Sequence, residues 1–229
     1  MILPHDKIVD LPELRDKLFV FRDRDHAGEI LATMLINFKE TNAVVLAIPA
    51  GGVPVGDVVA DKLNLPINVA VVSKITLPWN TEVGYGAVAF DGTVSINENL
   101  VKQVGLEKSE IKKGIEETLK KVNSRAKKFF MDKNPLNVDD RTVILVDDGV
   151  ASGFTVLVAV EALKNLNCGE IILSVPTGSL DRLISIESKV NKIYCPNVRR
   201  RGLFAVADAY QYWSDVSEDE VINILKKRG

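Results

Sequence analysis

The chain is poor in the residues that build covalent frameworks and metal cages. It has two cysteines and two histidines in 229 residues. Cys168 and Cys195 form neither a disulfide framework nor a metal-ligand spacing, and His5 and His26 lie far from both, so no zinc site is expected. A reducing, cytoplasmic setting follows from that usage. Neither sign of charge dominates: 29 Lys+Arg stand against 31 Asp+Glu, for a net charge of −2. That balance argues against a strongly basic nucleic-acid binder, with Arg199-Arg200-Arg201 as a local exception. A long hydrophobic run is also missing. The most apolar stretch, Ala43 to Ala60, is broken by Pro49, Gly51, Gly52, Pro54, Gly56 and Asp57, which makes it a poor membrane span. The first twenty residues carry several charges and no uninterrupted apolar core, so no secretory signal is expected. No internal repeat or low-complexity segment stands out.

What is present is a globular pattern. With 46% hydrophobic and 26% charged residues, the chain is long enough to bury a sizeable core. Apolar residues at Ala27, Ile30, Leu31, Met34, Leu35 and Phe38 predict a helix within Arg24 to Phe38. "AVVLAI" (Ala43 to Ile48) reads as a buried strand, followed by a Gly/Pro loop and a helix over Val53 to Leu63. "INVAVVSK" (Ile67 to Lys74) reads as a second strand. This strand-loop-helix-strand order predicts an α/β fold with a parallel sheet. Ile75 to Gly92, rich in turn residues, is expected to be a long loop with at most a short hairpin. A Lys/Glu-rich helix is predicted over Glu107 to Phe130, then a polar connector over Asp132 to Asp140. Further strands are expected at "TVILV", Glu170 to Val175 and Lys192 to Cys195, alternating with helices over Thr155 to Leu166 and Leu180 to Ser188. Ser217 followed three residues later by Glu220 is a capping-box pattern for a final helix.

The chemistry concentrates in "VILVDDGVASGFTV" (Val143 to Val156). A buried parallel strand ends on Asp147 and Asp148, where ligands of such sheets bind. Carboxylates accept hydrogen bonds from hydroxyls and can face magnesium through water. Two in a row suit a diol such as a ribose 2′,3′ pair. Gly149 to Thr155 then opens a helix, whose first N–H groups form an anion site. Gly149 and Gly153 let the backbone approach closely, and Ser152 and Thr155 add hydroxyls. A diol a short distance from a phosphate has the shape of a ribose 5-phosphate group. Two rival motifs are set aside. "GGVPVGDV" (Gly51 to Val58) has Asp57 and Val58 where a P-loop needs Lys and Ser/Thr, and "GYGAVA" (Gly84 to Ala89) does not sit between a strand and a helix.

These residues resemble the 5-phosphoribosyl diphosphate (PRPP) motif of type I phosphoribosyltransferases. Ser152 stands where Thr is usual and keeps the hydroxyl; Phe154 stands where Ala or Gly is usual. "FRDRDHAGEILA", "LAIPAGGVPVG", "SKITLPWNTEVGYGAVAFDG" and "FAVADAYQYWSDVSEDEV" are similar to a subfamily whose acceptors are poorly defined. The resemblance implies one domain over residues 1–229: a five-stranded parallel core with helices on both faces (about 20–195), and a small hood and tail (about 196–229), with a flexible loop. It implies Mg-PRPP as substrate, a small-molecule acceptor and a homodimer; the charge balance and the lack of a long apolar run argue against a nucleic-acid partner and a membrane. Asp147 and Asp148 would hold the ribose hydroxyls. Gly149, Val150, Ala151, Ser152, Gly153, Phe154 and Thr155 would form the 5′-phosphate loop. Ala50, Gly51 and Gly52 would belong to the pyrophosphate loop, with a non-proline cis peptide expected around Ala50-Gly51. Lys74 would help bind pyrophosphate; Ser73 stands where relatives often carry arginine.

The remaining candidates have two readings each. Glu82 is weighed evenly between a closed-loop role and a solvated charge, and Trp79 reads as a packed loop residue. Arg22 and Arg24 fit a phosphate contact across a dimer or a surface salt bridge. Among Phe204, Tyr210, Tyr212 and Trp213, core packing accounts for a good part, and Phe204 is the one candidate for stacking an acceptor base. The expected activity is transfer of the phosphoribosyl group to a nucleobase-like nitrogen acceptor, as in nucleotide salvage. The alternative is a PRPP-sensing regulator that binds RNA or protein without transferase activity. Purine, pyrimidine and non-base acceptors all remain open.

Overall fold

A computed structural model describes residues 6–130, 138–201 and 204–228 of the chain. Its centre is a parallel sheet of six strands: β1 (Ile8–Val9), β2 (Val44–Ala47), β3 (Ile67–Val69), β7 (Val143–Val146), β8 (Ile171–Ser174) and β10 (Lys192–Tyr194). Their spatial order is β1-β10-β8-β7-β2-β3, every pair parallel. The sheet therefore has one strand more than the five the resemblance implies, because β1 adds to the β10 edge.

The short apolar runs form strands because both faces of the sheet are covered. Side chains alternate. Val44, Leu46, Val143, Leu145, Ile171 and Leu173 enter one core with α5 (Phe154–Asn165) and α6 (Leu180–Glu187). Val45, Ile144, Val146 and Ile172 enter the opposite core with α1 (Arg24–Met34) and α2 (Gly52–Leu63).

The structure corrects the reading of Ile67 to Gly92. The expected second strand divides: β3 stays in the central sheet, and the chain turns at Ala70 and Val71 into β4 (Val72–Leu77). The expected long loop is mostly strand. β4 turns at Pro78-Trp79 into β5 (Asn80–Ala89), which pairs in turn with β6 (Val94–Ile96), giving a three-stranded antiparallel sheet. Its glycines misled the reading, yet Gly86 is required by packing. A Cβ there would meet Ile96, Ser95 and Ile75 atoms at 2.7–2.9 Å. The "GYGAVA" segment lies within β5, away from any strand-to-helix turn.

Ile75, Leu77, Tyr85 and Val88 make that second sheet an apolar platform. Against it pack α3 (Glu98–Val104), α4 (Lys108–Phe130) and α7 (Glu218–Lys227). The predicted stripe of α4 is the buried one, with Val122 and Phe129 fully inside. The Ser217 cap forms as expected, its hydroxyl accepting from the Glu220 N–H at 3.2 Å. Of the polar connector over 132–140, residues 132–137 lie outside the described residues. A two-stranded parallel sheet, β9 (Thr177–Ser179) with β11 (Asn197–Arg199), sits beyond the carboxyl ends of β8 and β10. No helix among the described residues is long and apolar enough to cross a membrane.

Candidate active site

The loops leaving β2 and β7 meet at one cavity of about 430 Å³, at the carboxyl end of the parallel sheet. Asp147, Asp148, the whole run from Gly149 to Gly153, and Thr155 line it, together with Ile48, Pro49 and Lys74. The sequence motif and the strand-end lysine, 73 residues apart at their nearest, are thus brought to a single site.

The two acids are held differently. One oxygen of each is engaged by the protein. Asp147 Oδ1 accepts the backbone N–H of Asp148 at 2.9 Å. Asp148 Oδ2 accepts Nε and Nη2 of Arg24 at 3.0 and 2.9 Å. Arg24 is itself fixed: its Nη1 donates to the Ser214 carbonyl at 2.8 Å, and its guanidinium lies 4.0 Å from the centre of the Trp213 ring. Tyr210 is buried and donates its hydroxyl to the Asp148 carbonyl at 2.7 Å. Burial first, and then Asp148, push the Asp147 carboxyl well above the ordinary aspartate value, with Arg24 and Lys74 pulling it back. Burial also raises Asp148, against the charge and hydrogen bonds of Arg24. Carboxylates displaced this way in a cleft are a mark of a functional site.

The motif glycines serve close approach. A Cβ on Gly51 would stand 1.9 Å from Asp148 Oδ2, and one on Gly52 would meet the Val146 carbonyl oxygen at 2.8 Å. The loop after β2 therefore lies directly on the acid pair. The bond between Pro49 and Ala50 is a cis peptide, one bond earlier than expected. Gly153 has φ +74° and caps α5, a backbone conformation that favours glycine. Ser152 Oγ accepts the Phe154 N–H at 3.4 Å. The Phe154 side chain is half-buried against the main core, so its bulk is taken up by packing. The amino ends of α2 and α5 both abut the acid pair and its loop; the Gly52 and Val53 N–H groups donate to the Ile48 and Ala50 carbonyls at 3.0 and 3.1 Å, and that of Phe154 to Ser152 Oγ.

Three cations also line the cavity. Lys74, on β4, is exposed into it, and α4 contributes Lys121 and Arg125. Sequence reading missed both α4 residues. They sit in a helix that also carries Lys120, Lys127 and Lys128, and nothing local separates the cations facing a cavity from those facing solvent. It also missed the partner of Arg24. That side chain makes a largely buried ion pair with Asp148 inside the site, a correction to its reading as a surface salt bridge, while Arg22 pairs with Asp23 at the surface.

The hood-side candidates separate. Phe204 is half-buried and does not line the cavity; Val206 does, and it fills the space beside Gly149. The Phe204 ring centre lies 5.9 Å from the Arg199 guanidinium. Arg199 is buried, Arg200 pairs with Asp16 and Arg201 is exposed, so the triple arginine is not one solvated patch. Trp79 is 61% exposed at the β4-β5 turn, a correction to its reading as packed. The Glu82 side chain lies outside the described residues.

Comparison with known proteins identifies the family. The family model for the phosphoribosyl transferase domain matches residues 21–197. Two curated proteins, from two strains of Mycobacterium tuberculosis and each named "Putative phosphoribosyl transferase", are 30% identical over 208 residues, 91% of this chain and 47% of each of them. The chain spans about half the length of these curated relatives. A crystal structure of a protein from Thermus thermophilus superposes with a TM-score of 0.74 at 28% identity, covering 90% of this chain and 98% of that one. With that family match extending over most of its length, the chain belongs to the phosphoribosyl transferase domain family.

Proposed function

We propose that the cavity binds PRPP and transfers its 5-phosphoribosyl group to a nucleobase-like nitrogen acceptor, releasing diphosphate. The observation that carries this reading is a single cavity lined by the acid pair, the loop that opens α5, and three cations. The second oxygens of Asp147 and Asp148 accept the ribose 2′ and 3′ hydroxyls. The loop from Gly149 to Thr155 takes the 5′-phosphate on backbone N–H groups and on the Ser152 and Thr155 hydroxyls. Ala50, Gly51 and Gly52 carry the diphosphate across the acid pair, beside Lys74.

In the reaction the bond from ribose C1 to the diphosphate oxygen breaks, with its electron pair leaving on the diphosphate. The acceptor nitrogen supplies the pair for the new bond and releases its proton. Positive charge builds on the sugar, near the two carboxylates, and negative charge builds near Lys74 and the loop N–H groups. In this reading the displacement needs no protein nucleophile. The protein's contribution is placement and fixed charge.

The donor set fits magnesium arriving with the substrate. No group of three or more His, Cys, Asp or Glu among the described residues forms a metal cage. Asp147 and Asp148 are two carboxylates beside a space for phosphate oxygens and water, the surroundings that magnesium accepts. Bound there, the ion would neutralise charge on the leaving diphosphate. The antiparallel hairpin carrying Trp79 and Glu82 is the candidate flexible loop, and closing it would exclude water from PRPP. The homodimer and the cytoplasmic setting belong to this proposal and are measured by sedimentation and by cell fractionation. The acceptor is a purine, a pyrimidine or another nitrogen compound.

Calorimetric titration with PRPP, with and without magnesium, tests the reading. Magnesium-dependent binding that is lost in Asp147→Asn/Asp148→Asn, followed by diphosphate release with a member of a base panel, is the expected result. No binding under either condition would refute it. The regulatory alternative predicts PRPP binding without diphosphate release for any acceptor.

A further inference from the structure

We infer that Lys121 and Arg125 of α4 bind the diphosphate of PRPP, so that the long helix over the hairpin supplies most of the positive charge of the leaving-group subsite. This deepens the proposed function and rests on it. The cavity lining has two chemically different sources. The segment from β7 into α5 supplies the acids and the α5 amino end, which suit hydroxyls and a single phosphate. β4 and α4 supply Lys74, Lys121 and Arg125, the only cations among the described residues lining it. A diphosphate carries more charge than a monophosphate, and one strand-end lysine is a single, strongly hydrated point charge.

Arg125 is preorganised for this task. Its side chain is 14% exposed. Its Nε donates to Glu218 at the start of α7 at 3.1 Å, and its flat face lies 5.4 Å from the Phe129 ring centre. Its Nη1 reaches Ser73 Oγ at 3.4 Å, a weak contact to another cavity-lining residue, so the end of the guanidinium stands at the cavity wall. Glu218 also accepts Lys128 at 2.8 Å, and these two cations hold its carboxyl below the ordinary glutamate value, Lys128 contributing first. Glu218 thus anchors the Nε side and leaves the planar fork toward the cavity, the geometry that recognises phosphate oxygens in pairs. Lys121 is one turn earlier on the same helix face, exposed into the same space.

Titration of PRPP with magnesium and, separately, ribose 5-phosphate into purified variants tests this. Arg125→Ala is expected to weaken PRPP by about tenfold or more, the worth of one charge-assisted hydrogen bond, and to leave ribose 5-phosphate within about twofold. Arg125→Lys should recover part of the loss, and Lys121→Ala should weaken PRPP several-fold, ~3-fold or more. Glu218→Gln removes the anchor but keeps the cation. PRPP affinity in that variant should fall less than in Arg125→Ala, because the cation stays while its preorganisation is lost. A loss in Glu218→Gln equal to that in Arg125→Ala would mean that Arg125 only ties α4 to α7, and would overturn the inference. Unchanged PRPP affinity in Arg125→Ala would also overturn it while leaving the proposed function intact. A wild-type protein that does not bind PRPP refutes the proposed function and this subsite together, whether or not it binds ribose 5-phosphate.

Discussion

Replacing Arg24 by methionine puts the site's electrostatics to a direct test. Arg24 and Asp148 are 10% and 15% exposed, and two guanidinium N–H groups fall on the same carboxylate oxygen. Arg24→Met keeps an unbranched apolar side chain against Trp213 but leaves Asp148 as a nearly buried charge without its partner. Breaking such a pair costs about 3 kcal/mol, the low end for buried pairs, because the cavity admits water to the acid. For a chain of this length that corresponds to roughly 6–12 °C in melting temperature. The loss depends on pH in a fixed direction. Burial already raises the Asp148 carboxyl above the ordinary aspartate value, and Arg24 opposes that. Without Arg24 the carboxyl rises further. A raised carboxyl contributes stability below its unfolded value and loses it as pH climbs through the folded one. The deficit of the variant should therefore be full near pH 8 and shrink toward pH 5. Asp148→Asn in the Arg24→Met background should restore at least half of it. Calorimetric melting of wild type, Arg24→Met and the double variant at both pH values measures all three quantities. A variant melting within 2 °C of wild type, a deficit independent of pH, or no recovery in the double variant would each refute the reasoning; the 2 °C margin is about the smallest shift expected of 1 kcal/mol.

Other outcomes follow from the same geometry. Asp147→Asn keeps the oxygen that accepts the Asp148 N–H but removes a carboxyl raised by burial and by Asp148, so at neutral pH it should raise the melting temperature by roughly 2–8 °C, about 1–2 kcal/mol, while PRPP binding falls. That gain should fade as pH falls and the wild-type carboxyl takes up its proton; a gain constant from pH 8 to pH 4 would contradict this origin. Gly51→Ala should fold but lose PRPP affinity by at least about tenfold, because the new Cβ lands 1.9 Å from an oxygen that Arg24 holds in place; unchanged calorimetry would refute the contact. Cys195 is fully buried and its thiol is pushed far up by burial, so a thiol reagent should label Cys168 first and Cys195 only on unfolding, as peptide mapping would read.

The sequence by itself determined the elements whose signal is local. The runs at Val44, Val143 and Ile171 are short, apolar and β-branched, and they form the middle of the sheet because they are buried on both faces. The Asp-Asp-Gly motif sits at a strand end, so its place at the carboxyl edge followed from the parallel topology. The stripe of α4 and the Ser217 cap are equally local, set by helical periodicity and one side-chain hydrogen bond. Only the tertiary structure decided the rest. Val72 to Ile96 became a sheet because Ile75, Leu77 and Tyr85 found an apolar partner in α4, which outweighed their glycine and proline neighbours. The Arg24–Asp148 pair joins residues 124 apart, and the contact of Arg125 with Ser73 spans 52. Charged side chains carry no periodic mark of what they will meet. Which of many arginines and lysines faces the cavity is fixed only when separate elements pack, and that packing turned a legible motif into a site.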